Sequence, residues 1–315
     1  MSATTPATQQ KEDVVRKRVI IDSDAKNEAD DQFAIVHALL STSIDVVGVI
    51  PAHFGTRRTT DSMAESRQEV NHLLKLMALD GDVTVADGAP AAMTDERTLA
   101  DSPGARLIVQ ASHEPGPLFV LFLGPLTDMA AAILLDPAIA HNPELTVVWI
   151  GGTPYDGVHG ETFAEFNLSN DVTAANVVLQ SGVRVWQVPW TVYAMVNVGY
   201  AELDEKVAPH GELGAYLVRQ LKEFNAAFWD YEVEHHSLGD SPAVGVVLNP
   251  MSARWRHHPV RVFDEHARMT SVVVEGRTVR VADAMDVRFL LEDFFAKIKA
   301  QAASPSARSS QERHS

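Results

Sequence analysis

The chain has no cysteine among its 315 residues, which excludes disulfides, thiolate metal sites and cysteine nucleophiles. It is short of positive charge: 26 Lys and Arg stand against 42 Asp and Glu, a formal net charge of -16. Binding along a nucleic-acid backbone needs clustered Lys and Arg to displace counterions, so nucleic acid is not an expected partner. No uninterrupted run of about 18 apolar residues occurs, and residues 1–18, MSATTPATQQKEDVVRKR, are mainly polar with no apolar h-region. Neither a membrane span nor a secretory signal is indicated, and a cytoplasmic location is expected. A phosphate-cradling Gly-rich loop ending in Lys and Ser/Thr is also missing. The remaining composition, 46% hydrophobic, is enough for a large core, and the acidic balance suits a small solute or a metal cation.

Short apolar runs recur at Val19 to Ile21, Ile44 to Ile50, Val83 to Ala86, Leu118 to Leu123, Leu145 to Ile150 and Val183 to Val188. Helical patterns at Met63 to Leu79, Thr127 to Leu135 and Val172 to Gln180 separate them. This alternation predicts an α/β fold: an open, mainly parallel, mixed β-sheet with flanking helices. A more helical, aromatic-rich stretch from Glu202 to Val247 is expected to wall the strand ends. A hairpin around Glu275 and Gly276 and a last amphipathic helix from Asp286 to Ala300 follow. Residues 17–300 read as a single domain, and the polar segments 1–16 and 301–315 as unstructured tails.

The most informative segment is Arg18 to Leu40, RVIIDSDAKNEADDQFAIVHALL. Asp22, Asp24, Glu28, Asp30 and Asp31 lie between an apolar strand and an apolar helix. Capping and the helix dipole account for two of the five. The rest repel one another unless a cation or shared protons intervene, which marks a metal or acid/base site on a loop at the carboxyl end of a strand. Three later segments share this strand, turn and helix order: Leu118 to Leu123 running into Thr127 and Asp128; Val147 to Gly152 followed by Glu165, Phe166 and Asn167; and His235 to Asp240 before an apolar helix. Glu165 and Asn167, two apart in extended chain, face one way and suit neighbouring sugar hydroxyls. In a parallel sheet these loops meet at one edge.

Together these pieces resemble the inosine-uridine preferring nucleoside hydrolases, over roughly residues 17–298. Members of that family carry Asp-x-Asp-Pro-Gly-x-Asp-Asp, Gly-x-Leu-Thr-Asn, Ala-Glu-Phe-Asn and a late His-Asp. This chain has Asp22-Ser-Asp24 with Asp30-Asp31, Gly124-Pro-Leu-Thr127-Asp128, Ala164-Glu165-Phe166-Asn167 and Gly239-Asp240. The resemblance implies a Rossmann-like fold and Ca²⁺-dependent hydrolysis of a ribonucleoside to free base and ribose, a salvage-type reaction. It implies Ca²⁺ held by Asp24, Asp31, the Thr127 carbonyl and Asp240. Asp30, Glu165 and Asn167 would hold the ribose, and Asp24 would deprotonate a metal-bound water. It also implies a homo-oligomer, dimer or tetramer.

The departures fall at specific places. The step from Asp24 to Asp30 is two residues longer than in the family. The extra length either brings Asn27 and Glu28 to the site or bulges outward, and the bulge is the slightly favoured expectation. His53 stands near the place where relatives carry an Asn that reaches the ribose or attacking water, either as its catalytic substitute or as a buried, satisfied core histidine. Gly239 stands where many relatives place a His that protonates the leaving base, which leaves the acid unassigned; His235 and His236 lie nearby, and His236 is a catalytic candidate. Trp186, Trp190 and Trp229 are candidates to sandwich the base, Trp190 and Trp229 the leading ones, although core packing is the commoner role of such a residue. A modified nucleoside is compatible with these changes. Two rival readings are a haloacid-dehalogenase-like phosphatase using Asp22 and Asp24, and a non-catalytic calcium- or sugar-binding relative.

Overall fold

The computed structural model describes residues 16–155 and 164–304; most of each expected tail lies outside this range. The chain order is β1 (Lys17–Ser23), α1 (Asp31–Leu39), β2 (Ile44–Pro51), α2 (Ser62–Leu76), α3 (Pro103–His113), β3 (Leu118–Phe122), α4 (Thr127–Leu135) and β4 (Leu145–Ile150). Then come α5 (Phe166–Asn170), α6 (Val172–Gln180), β5 (Arg184–Val188), α7 (Trp190–Tyr193), β6 (Asn197–Gly199), α8 (Tyr200–Lys206) and α9 (Gly211–Phe228). β7 (His235–Ser237), α10 (Ser241–Leu248), β8 (Ala253–Phe263), β9 (Met269–Met285) and α11 (Val287–Ala302) complete it.

Seven strands form one sheet in the order β2-β1-β3-β4-β5-β9-β8, parallel except for the final β8/β9 pair. The run Val19-Ile20-Ile21 explains why β1 is central. Val19 and Ile21 enter the core that holds α1, α9, α10 and α11, and Ile20 enters the opposite core with α3, α4 and α6. A strand covered on both faces carries apolar residues without interruption, as in parallel sheets. The chain leaves β1 for β2 on one side and returns for β3 on the other. That reversal opens a crevice at the carboxyl ends of β1 and β3, where open α/β sheets bind ligands.

Three local expectations change. Val83 to Ala86 contributes only an isolated bridge, Val49 to Val85, and not a sheet strand. Helix α2 ends at Leu76, before Ala78 turns into a positive φ of 55°. The hairpin turn lies at Asp264 to Arg268 rather than at Gly276; the shift from Pro259↔Thr278 to Arg261↔Val273 makes Glu275 and Gly276 part of a bulge inside β9. An Asn/Asp/Gly turn signal cannot be told from a bulge without the partner strand. No helix among the described residues is long and apolar enough to cross a membrane.

Leu121, fully buried on β3, tests the core. Leu121→Ala is expected to cost about 2–5 kcal/mol, read as a lower urea midpoint with an unchanged slope.

Candidate active site

The aspartates are presented by strand exits and helix starts, and α1 and α10 do not use them as caps. Asp30 and Asp240 occupy the N-cap positions of α1 and α10, yet neither side chain accepts a capping hydrogen bond. Instead Asp30 Oδ2 accepts the Asp240 backbone N–H at 3.1 Å, which ties the two helix starts together. Asp31 Oδ1 accepts the Ser23 hydroxyl at 2.6 Å. Gly124 allows the second loop to close on the first, since a Cβ there would lie 2.9 Å from Asp24 Oδ1.

The longer turn does not bulge outward. Gln32 Nε2 donates to the Ala25 carbonyl at 2.7 Å, and Gln220 Nε2 to the Ala29 carbonyl at 2.8 Å. Lys26 pairs with Glu69 at 3.1 Å, and the Arg58 guanidinium binds both the carbonyl and the side-chain oxygen of Asn27. Ala25 and Ala29 are fully buried. The partners on α2 and α9 are distant in sequence, so the turn's direction was illegible locally. Its consequence is that Asn27 and Glu28 line the cavity.

That cavity, about 370 Å³ and open to solvent, is lined by Asp24, Asn27, Glu28, Asp30, Asp31, Leu123, Ile150, Glu165, Phe166, Asn167, Tyr193, Gly239 and Asp240. Burial first, and then mutual repulsion, holds the carboxyls of Asp24, Asp30 and Asp240 well above the usual carboxylate range. Burial raises Asp31 to about 6, against the lowering effect of the Ser23 hydroxyl. Oxygens of Asp30, Asp31 and Asp240 lie within 4.8 Å of one another, and Asp24 Oδ2 is buried without a hydrogen-bond partner. A hard, oxygen-ligated cation fits this donor set, because it satisfies the orphaned oxygen and removes the repulsion.

Asp22 is different. It is fully buried behind the cavity and does not line it, with its carboxyl raised by burial and by Asp128 beside it. A phosphatase nucleophile has to reach its substrate, so this placement counts against the phosphatase reading.

On the facing wall, Asn167 Nδ2 donates to the carbonyls of Leu123 (2.6 Å) and Ile150 (2.9 Å), which fixes the amide. Glu165 caps α5 and accepts four hydrogen bonds, from Gly152 N–H, Leu168 N–H, Asn167 N–H and the Tyr193 hydroxyl, at 2.7, 2.8, 3.1 and 2.9 Å. Thr127, first residue of α4, donates its hydroxyl to Asp171 at 2.8 Å. His53 lies behind it, with Nε2 2.8 Å from the Thr127 hydroxyl and Nδ1 accepting Gly55 N–H. Because the Thr127 proton goes to Asp171, His53 donates from Nε2. Burial lowers its pKa to about 4, so it is neutral. His53 supports Thr127 and does not line the cavity.

At the other end, His236 Nδ1 lies 3.0 Å from Asn225 Oδ1, while Asn225 Nδ2 donates to the Tyr200 hydroxyl and the His235 carbonyl. Trp190 and Trp229 are not among the lining residues, and Trp229 is 42% exposed. Tyr193 lines the cavity instead. It stands against Gly239, where a Cβ would meet its ring at 3.0 Å. Only its place in the loop after β5, the same edge as the other loops, was available as a sequence signal.

The family model for inosine-uridine preferring nucleoside hydrolases matches residues 19–292. A probable uridine nucleosidase 2 of Arabidopsis thaliana is 27% identical over 248 residues, 71% of this chain and 73% of that one. An inosine-uridine preferring nucleoside hydrolase of Leishmania major is 28% identical over 168 residues, 52% and 51% of the two chains. Among solved structures, a plant nucleoside hydrolase superposes with a TM-score of 0.73 at 20% identity, covering 92% of this chain and 99% of that one. A purine-preferring ribonucleoside hydrolase from Gardnerella vaginalis gives 0.72 at 21%, covering 91% and 99%.

Raised carboxyl pKa values bind protons more tightly in the folded than in the unfolded chain. Stability from this source is therefore present below about pH 4 and lost as pH rises through about 6, the value of Asp31. Protons and a divalent cation compete for the same oxygens. The melting temperature of chelator-treated protein is expected to fall as pH rises from 4 to 7, and added Ca²⁺ to raise it more at pH 7 than at pH 5. Scanning calorimetry at the two pH values checks both signs.

Proposed function

The chain belongs to the inosine-uridine preferring nucleoside hydrolase family, and on that premise we propose that it hydrolyses the N-glycosidic bond of ribonucleosides with bound Ca²⁺ and with Asp24 as the general base. The observation that carries the reading is the convergence of Asp24, Asp30, Asp31, Asp240 and Asn167 on one cavity at the sheet's reversal point.

Asp24, Asp31, Asp240 and the Thr127 carbonyl would hold the cation. When bound, Ca²⁺ offsets their repulsion, acidifies water and binds hydroxyl oxygens. Asp24 takes the proton of the attacking water at its carboxylate. Asp30 and the Asn167 amide oxygen, whose NH₂ is already committed to two carbonyls, accept hydrogen bonds from ribose hydroxyls. Positive charge growing on the ribose as the bond to the base breaks is stabilised by these carboxylates. Glu165 keeps Asn167 and Tyr193 in place as well as closing the ribose end. His53 acts through Thr127 as a positioning residue.

The direct test is ribose release from a panel of ribonucleosides by chelator-treated protein, with and without added Ca²⁺. Calcium-restored release is expected, and no release despite calorimetrically demonstrated Ca²⁺ binding overturns the reading. Asp24→Asn is expected to lower kcat by roughly 10²- to 10⁴-fold with an unchanged circular dichroism spectrum. His53→Ala, as a positioning change, is expected to weaken Ca²⁺ binding along with turnover.

A further inference from the structure

Among the described residues, the base end of the cavity offers aromatic faces and carboxylates, and no histidine, lysine or hydroxyl proton free to reach a leaving base. Gly239 has no side chain to offer, and the Tyr193 ring stands against it. The Tyr193 hydroxyl and the Asn167 amide hydrogens are committed to Glu165 and to two backbone carbonyls. Asn225 uses its amide hydrogens on Tyr200 and His235, so its oxygen must accept from His236 Nδ1. A neutral His236 therefore carries its proton on Nδ1, and Nε2, buried and without a partner, is a lone pair. An imidazole nitrogen of His236 lies within 4.8 Å of oxygens of Glu28 and Asp30. Glu28 is brought to this place by the anchored longer turn, and Arg58, the cation nearest in effect to it, is bonded to both oxygens of Asn27. Among the described lining residues there is no Lys, Arg or His.

Resting on the hydrolase reading, we propose that this site takes ribosides whose nitrogen-linked ring is cationic, of the pyridinium type, with Glu28 as the counter-ion that selects them. The chemistry matches the missing donor. A neutral base leaves as an anion unless it is protonated, whereas a pyridinium ring leaves as a neutral molecule. The electron pair of the bond from C1′ to the ring nitrogen goes to that nitrogen and cancels its charge. Water oxygen bonds to C1′ and its proton goes to Asp24. The Tyr193 and Phe166 rings line the cavity, and a flat cation is attracted to their π-faces as well as to the carboxylates.

Two measurements test this on Ca²⁺-loaded protein. Calorimetry compares 1-methylnicotinamide, methylated on the ring nitrogen, with nicotinamide, a cation and a neutral ring of similar shape that cannot be hydrolysed, and the cation is expected to bind at least about tenfold more tightly. Ribose release compares nicotinamide riboside with uridine and inosine in wild type and in Glu28→Gln, with Glu28→Asp as a folding and charge control. The kcat/KM ratio of cationic to neutral substrate is expected to drop about tenfold in Glu28→Gln and to be retained in Glu28→Asp; taking this ratio between variants cancels intrinsic substrate reactivity. Equal binding of the two rings, an unchanged ratio in Glu28→Gln, or selective loss of neutral nucleosides in that variant, which would make Glu28 a proton donor, overturns the proposal while the hydrolase activity stands. If no riboside releases ribose, the hydrolase reading falls and the binding pair alone decides the preference for a cation.

Discussion

The repulsion among buried carboxylates at the carboxyl ends of β1 and β3 is the constraint around which this molecule is arranged. Asp24, Asp30, Asp31 and Asp240 are brought into one cavity and largely removed from water, a placement that is costly for each charge unless a proton or a cation compensates. The fold tolerates it because the backbone is held independently of these side chains. β1 is clamped between two parallel strands and packed on both faces. The stable core thus keeps an unfavourable charge arrangement ready for a ligand that makes it favourable.

Support for the site extends one layer behind it. His53, Thr127 and Asp171 form a directed chain of hydrogen bonds in which each proton has one acceptor. Glu165 has all of its acceptor capacity engaged by neighbours that shape one wall of the cavity. Such groups hold the geometry of the residues in front of them, which is why loss of one is felt at a distance. Asp22 and Asp128 sit deeper still, a buried carboxyl pair kept from the cavity.

Much of this was legible in order along the chain. The runs that became β1, β3, β4 and β5 and the helices α4 and α6 announced themselves by periodicity, and the acidic strand exits followed from the same grammar. The misread pieces all depended on a distant partner. Val83 to Ala86 had strand composition but met only Val49. The Gly276 turn signal became a bulge because of what β8 places opposite it. The turn from Ala25 to Ala29 pointed inward because Gln220, Arg58 and Glu69 reach it from elsewhere. Trp190 and Trp229 are base-platform candidates by residue type, yet Tyr193 and Phe166 are the aromatic residues that line the cavity.

By itself the sequence determined the α/β class, the acidic character of the site, the absence of thiol chemistry and the family resemblance, because these rest on composition, period and local spacing. Tertiary structure alone decided which carboxylates face the cavity and which, like Asp22, lie behind it. It also decided that the longer turn brings Glu28 inward, and that His53 and His236 direct their protons to Thr127 and Asn225. The reason is physical: the direction of a side chain and the side on which a proton resides are set by packing and hydrogen-bond partners tens to hundreds of residues away, and no local pattern encodes them.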